Sequence, residues 1–446
     1  MHKPQLQKND SFTKKITASS FLLKKIDVYL SDLQLSLDKL LDKRLVGTFY
    51  HLFVAILVNR NRSMGLLLSE LGGFICGFDH APAGTKRISN LLRSKKWSST
   101  VLDDFLFARS KKRIEQLQQI GKRPLLIWDD SKIEKPESWL TEGLCSVESS
   151  KGKRLTKVKK GFYHPPVSRI CVPGYRWTAS LLSALGEAPS VCQMSWWTTR
   201  GKYKENGSNI IFKMLEKLHK SIGKGVLHVF DRGYANAWTV EWLTYFQQDF
   251  LVRWKKNHLL IHPDKGKKKT HLLARSFKAQ QRKIVFDSQR KVIKSISIAW
   301  TKVQHPDFVG IDLSLVILRD RKNHQSPLYL LTSIQVSNLE QAWEMCHVYM
   351  HRWNIEQTFR FCKTELAIES PRLWFFENTC KLLGMVALIY DFLIHLINNW
   401  GNWIQLILKR WCHRTGNRYR KASVPIYRLR VAIHNIIWTK FAQNSG

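Results

Sequence analysis

Four residues of one short segment, Tyr349, Arg352, Glu356 and Lys363, carry a phenol, a guanidinium, a carboxylate and an ammonium at helical spacing. At roughly 100° per residue they fall within about 60° of one another, so a continuous helix over 349–363 presents them as one ionic row. Ile355, Phe359, Cys362 and Leu366 recur at three- and four-residue steps and form an apolar stripe about a quarter-turn away. Taken alone, such a row is equally well explained as a solvated helix face with a Glu–Lys pair. Two upstream acids change the reading. Asp129 follows the apolar run 124–128, and Asp231 follows 225–230. Runs of that length suit buried strands. One acid at a strand tip is usually a turn or a cap, but three acids beside an ionic helix face suggest a site. Hard divalent cations take oxygen ligands, and Mg²⁺ binds through a few carboxylates plus substrate phosphate. Two such ions about 4 Å apart activate a water or a 3′-hydroxyl and stabilise the leaving oxygen of a phosphodiester. Carboxylates converging without a cation would repel one another.

Several elements must position these groups. Residues 1–120 read as helical, with a buried-helix pattern over 45–58. Residues 85–97 can pack Ile88, Leu91 and Leu92 while Lys86, Arg87, Asn90 and Arg93 face out, as a DNA-reading helix or a solvated basic one. From Pro124 the pattern changes to strands at 124–128, 175–185 and 190–198, a helix at 208–222, a strand at 225–230, a helix at 237–246 and a strand at 249–254. If the first and fourth strands are neighbours, Asp129 and Asp231 stand within about 5 Å of each other. Residues 255–338 alternate or run apolar with β-branched residues between basic turns, as expected of an all-β insertion. Apolar helices follow to about residue 400, then a basic tail. The basic stretch 151–173 reads as an exposed, phosphate-facing loop.

The chain has 446 residues, with 72 Lys and Arg against 34 acids, a formal charge of +38. That excess resists compaction unless a polyanion offsets it, which makes nucleic acid the first partner to consider. Several of the 17 tryptophans adjoin basic residues, as at Arg253-Trp254 and Arg352-Trp353, a pairing suited to base stacking and equally to a buried indole beside a surface charge. The eight cysteines form no C-x-x-C pair and are expected as reduced thiols. No signal peptide is expected, since the N-terminus is polar and basic without an apolar run. Residues 382–397 are apolar but interrupted by Asp391 and short of the ~20 residues a membrane span needs, so no membrane partner is expected. The absence of a Gly-x-x-x-x-Gly-Lys-Ser/Thr loop implies no nucleotide cofactor.

Asp129-Asp130-Ser131, Asp231-Arg232-Gly233-Tyr234 and the Tyr349, Arg352, Glu356, Lys363 spacing together resemble the insertion-sequence DDE transposases with the YREK signature, over about residues 120–400. The resemblance implies an α/β fold: an RNase H-like mixed sheet flanked by helices, interrupted by the all-β insertion. On that reading 1–120 is a helical DNA-binding region, 121–254 the first part of the core and 255–340 the β-rich insertion. Residues 341–400 are the second part of the core with the Glu356 helix, and 401–446 a basic helical tail. It implies Asp129, Asp231 and Glu356 as ligands of Mg²⁺, with Mn²⁺ as a substitute. Tyr349, Arg352, Lys363 and Arg232 would meet DNA phosphates, joined by Lys86, Arg87 and Arg93 of the N-terminal region. An Asp-x-Ser pattern selects Asp129 as the first ligand, whereas a gapless alignment to members with Glu-Asp-Thr selects Asp130. Strand alternation sends the two to opposite faces, so only one can join the site. Trp300 and Trp254 are candidates to stand beside a flipped base. The implied activity is cut-and-paste movement of double-stranded DNA by a homodimer in a paired-end complex, in the bacterial cytoplasm and associated with the nucleoid. The alternatives are an RNase H-like nuclease without strand joining, and a non-catalytic domesticated DNA-binding protein.

Overall fold

The structure, a computed structural model, describes residues 5–59, 65–152, 160–164, 169–287, 292–320, 326–412, 416, 422 and 424–443. Residues 153–159 and 165–168 of the basic loop expected over 151–173, and most of the basic run in the C-terminal tail, lie outside them.

Five helices come first: α1 (Gln5–Asp38), α2 (Lys43–Val58), α3 (Leu68–Cys76), α4 (Ala81–Arg93) and α5 (Thr100–Gln119). Asp42 caps α2 by accepting from the amides of Arg44 and Leu45 at 2.9 and 3.0 Å, which satisfies two otherwise orphaned donors. Helix α4 buries Ile88, Leu91 and Leu92 and leaves Lys86, Arg87 and Arg93 exposed, the division its spacing dictates. Strands β1 (Leu125–Glu134), β2 (Cys145–Glu148), β3 (Cys171–Ser183) and β4 (Ser190–Trp197) follow, then α6 (Gly207–Ile222), β5 (Leu227–Phe230), α7 (Ala237–Tyr245) and β6 (Asp249–Arg253). In space they run β4-β3-β1-β5-β6, with β3 antiparallel to β1 and to β4, and β5 and β6 parallel to β1. Three antiparallel strands followed by two parallel ones, in that order, is the RNase H-like mixed sheet.

Beyond β6 come β7 (Leu259–His262), β8 (Gly266–Lys269), the helix α8 (Thr270–Arg275), β9 (Gln281–Asp287), β10 (Val292–His305), β11 (Phe308–Asp320) and β12 (Leu328–Thr332). This β-rich stretch contains one helix and does not close on a core of its own. β12 pairs antiparallel with β6, and β11, β10, β7 and β8 continue outward, making one sheet of 12 strands. The β6 edge would otherwise present bare backbone donors and acceptors.

The chain then returns as α9 (Leu339–Met350), α10 (Trp353–Thr364), α11 (Phe376–Asn399), α12 (Gly401–Trp411) and α13 (Ile426–Gln443). Helix α11 is long and apolar enough to cross a membrane by length and composition, yet 89% of its most apolar window is buried in the protein. Tyr29 of α1 donates to Asp391 of α11 at 2.8 Å, and Arg109 of α5 ion-pairs with the same carboxylate at 3.5 Å. The N-terminal helices therefore share a core with α11 instead of standing apart. All eight cysteines are free thiols.

Alternation on β1 divides the interior into two cores. Leu125 and Ile127 face the one built with α1, α2, α9, α10 and α11, whereas Leu126 and Trp128 face the one built with α6 and α7.

Candidate active site

Asp129 follows Trp128 on β1, and its side chain falls on the α10 face. Asp130 points the other way, accepting from Thr178 on β3 at 2.6 Å. Asp231 is the first residue past β5. The parallel register Trp128↔Phe230 puts the two acids side by side on adjacent strands. Beneath them Trp128 donates through Nε1 to His228 Nδ1 at 3.0 Å, and His228 Nε2 lies 3.2 Å from Gln248 Oε1. That pairing places the imidazole proton on Nε2. Burial pushes His228 down to about 4, so it is a neutral spacer between β1 and β6.

The third acid arrives on α10. The expected single helix over 349–363 is two: α9 ends at Met350 and α10 starts at Trp353. His351 and Arg352 keep helical dihedrals, but the junction tightens to three-residue hydrogen bonds, Arg352 N–H to Tyr349 O at 3.1 Å and Asn354 N–H to His351 O at 2.9 Å. Tyr349 thus closes one helix and Arg352 caps the next.

Arg352 is the hub. Its Nη1 lies 3.4 Å from Asp129 Oδ2 and its Nη2 bonds Glu356 Oε1. The Tyr349 hydroxyl donates to Asp231 Oδ1 at 3.3 Å. Three acids from distant parts of the chain are thereby drawn around one buried guanidinium. Burial pushes the Asp129 carboxyl up to about 7, Arg352 and the Asp130 amide pull it back, and Asp231 adds to the rise. Burial alone would lower the Arg352 pKa, but the bond to Glu356 together with the charges of Tyr349, Asp231 and Glu356 more than offsets this, so the guanidinium stays charged. Burial, then Asp231, drives the Tyr349 phenol well above its usual range and keeps it a donor.

The other expected residues are placed differently. Lys363 leaves the row and pairs with Glu369 at 3.1 Å. Arg232 is exposed beside Asp231, whereas Lys86, Arg87 and Arg93 lie on α4 in the N-terminal helical layer. Trp254 offers no face to a base: it is 2% exposed, buried in the α6–α7 core and packed edge-to-face with His258 and His305. Trp300 is half-buried against the other core. One participant was missed. Arg253 ends β6 in the row of Asp231, by the register Phe230↔Val252, and acts on the Tyr349 phenol. The signal was a basic residue closing the strand next to an acid-tipped one.

Oxygen donors in a poorly solvated pocket suit a divalent cation. The spacing as it stands does not, for among the described residues no three His, Cys, Asp or Glu side chains converge closely enough to hold a metal ion. Arg352 stands in for a cation between Asp129 and Glu356, and has to withdraw before oxygen atoms can close around a metal.

No curated protein matches the chain. Among solved structures, the piggyBac transposase synaptic complex with hairpin DNA is similar at 13% identity, with a TM-score of 0.43 over 91% of this chain and 73% of that one, a likeness too slight to carry an argument. The family model described as a transposase DDE domain matches residues 201–392, which include Asp231, Glu356 and the whole of the α9–α10 signature, while Asp129 precedes them. Residues 201–392 are therefore similar to a transposase DDE domain.

Proposed function

We propose that the protein is a DDE transposase that binds the inverted-repeat ends of an insertion sequence and moves it by metal-dependent strand cleavage and strand transfer. The observation that supports this most is the gathering of Asp129, Asp231 and Glu356 around Arg352 and Tyr349. Pure DNA binding needs no acids in a basic protein. In this reading Asp129, Asp231 and Glu356 hold Mg²⁺ or Mn²⁺, which supplies an activated oxygen nucleophile and charge stabilisation for the leaving oxygen. Arg352 turns from the acids to a DNA phosphate, for which its planar fork is suited. Tyr349 orients Asp231 through its hydroxyl, and Arg232, Lys363 and Arg253 line the approach of the backbone. Arg87 and its neighbours on α4 add sequence-independent attraction. The active form is a homodimer joining two ends, in the cytoplasm with the nucleoid.

The test is incubation with duplexes carrying the flanking genomic repeats and Mg²⁺ or Mn²⁺, followed by mapping of cut ends and joined products. Cleavage at the repeat boundary with strand joining is expected. Cleavage without any joined product would make the protein a nuclease of the same fold, and binding without cleavage a non-catalytic DNA-binding protein.

A further inference from the structure

The strand register locates a feature that the acid site does not use. Trp300 on β10 pairs with Val316 on β11, Val316 with Leu330 on β12, and Leu330 with Arg253 on β6, the residue in line with Asp231. Trp300 thus lies in the acid row, four strands away, or about 19 Å at the usual strand spacing. β10 continues from there to Val292, roughly 26 Å farther at about 3.3 Å per residue. β11 stops at Asp320, opposite Ile296, so Ile284–Asp287 and Val292–Ser295 pair only with each other. The result is a two-stranded arm leaving the sheet at the end where the acids stand. The sheet's twist, about 20° per strand, turns it obliquely across that end.

Charge and anchoring give the arm a direction. Gln281 pairs with Ile298 and Lys283 with Ile296, so both share the face of the α9–α10 core, the face of Asp129. Trp343 of α9 donates to Gln281 Oε1 at 2.7 Å, and Lys283 Nζ sits 4.7 Å over the Trp343 ring. The root is therefore fixed to α9, the helix that carries Tyr349. Arg282, Lys283 and Ile284 are exposed, Ile284 at 79%. Among the described residues, neither cation has a carboxylate partner. Edge lysines also discourage strand pairing, but that role leaves an isoleucine bare on the same edge unexplained. A ribbon that lies in a DNA groove uses both.

We propose that the β9–β10 arm is a second contact on duplex DNA, with Arg282 and Lys283 on phosphates about eight base pairs from the cleaved bond: β9 lies five strands from β5, about 24 Å, and the two residues pair three and four residues past Trp300, about 10–13 Å, which makes about 26–27 Å at about 3.4 Å per base pair. This rests on the transposase reading. The test compares the wild type with the double variant Arg282→Ala, Lys283→Ala in metal-free binding titrations across salt. Three duplexes are used: an end DNA extending well past the cleaved bond on both sides, and two truncated to about three base pairs on one side or the other. On the long duplex the variant should bind on the order of tenfold more weakly, with a salt slope shallower by about two, near 0.9 per phosphate contact. On the duplex lacking the arm's side it should match the wild type. Arg282→Lys with Lys283→Arg should restore the slope. Equal affinity and slope on every duplex, or an equal loss on all three, overturns the proposal while leaving the transposase reading intact. Failure of the wild type to bind the long duplex sinks that reading and this proposal with it.

Discussion

Arg352 is the cation that Asp129 and Glu356 share, so its replacement tests the site most directly. In Arg352→Gln a shorter, neutral polar side chain replaces the guanidinium and the charge is lost. The Arg352 and Asp129 side chains are 11% and 20% exposed, so their pair is largely screened from water, whereas Glu356 at 32% is less so. Gross attraction at such distances is about 4 kcal/mol at an effective dielectric near 20. Removing one partner of a buried pair costs about 3–5 kcal/mol. The metal-free variant should therefore melt lower than the wild type at pH 8, where Asp129 is ionised and uncompensated. A metal ion entering the wild type must displace a charge-assisted bond worth about 1.5–3 kcal/mol net, and at 1.4 kcal/mol per tenfold the variant should bind Mn²⁺ roughly 10- to 100-fold more tightly in the absence of DNA. Calorimetric titration with Mn²⁺ reads the affinity, and melting with and without Mn²⁺ reads the stability. A variant that binds Mn²⁺ no better than the wild type, with an unchanged melting temperature, would refute the assignment of Arg352 as a stand-in cation.

Asp231→Asn and Glu356→Gln should each abolish cleavage and leave DNA affinity within a few-fold of the wild type. A parallel loss of binding in gel shifts would make the acids structural. Asp129 gives a pH signature. Its carboxyl is raised from 3.8 to about 7, so the folded state holds the extra proton between those values. The stabilisation is full below about pH 4 and lost as pH rises through 7, at most about 4 kcal/mol at 1.36 kcal/mol per unit. Asp129→Asn should remove that slope in urea unfolding series between pH 4 and 8, and an identical slope in the variant counts against the buried pocket. Mn²⁺ should raise the wild-type melting point more at pH 8 than at pH 6, because only the ionised carboxyl binds it. Gly84→Val tests the N-terminal layer. A Cβ there meets the backbone carbonyl of Gly72, its carbon at 2.6 Å, and backbone cannot swing aside. The overpacking cost is about 1–3 kcal/mol or more, seen as a lower melting temperature, and an unchanged melt rejects the close α3–α4 contact.

The parts of the site that the sequence revealed are those with local causes. An apolar run followed by an acid marks a buried strand, which places Asp231 just past β5, whereas β1 runs on beyond Asp129 to Glu134, so that acid stands mid-strand and not at a tip. The face of α4 was legible for the same reason. What left no mark in the sequence needed distance along an axis or pairing across the chain. Lys363 shares an angle with Glu356 but lies seven residues on, about 10 Å along the helix at 1.5 Å per residue, beyond reach of the pocket, and it meets Glu369 instead. The joining of the β-rich stretch to β6 left no local trace, because β12 carries the same pattern whether it closes a separate domain or extends a sheet. The ionic row itself shows what a motif encodes. Its residue types suit groups facing DNA and metal, yet in the isolated chain Arg352 neutralises Asp129 and Glu356, and Tyr349 caps Asp231. A motif fixes which charges meet; the partners present fix how they pair. Since the acids and the guanidinium satisfy each other here, neither a polyanion nor a metal ion can engage this pocket fully without releasing what the other needs. Binding of DNA and of metal should therefore be positively coupled through Arg352.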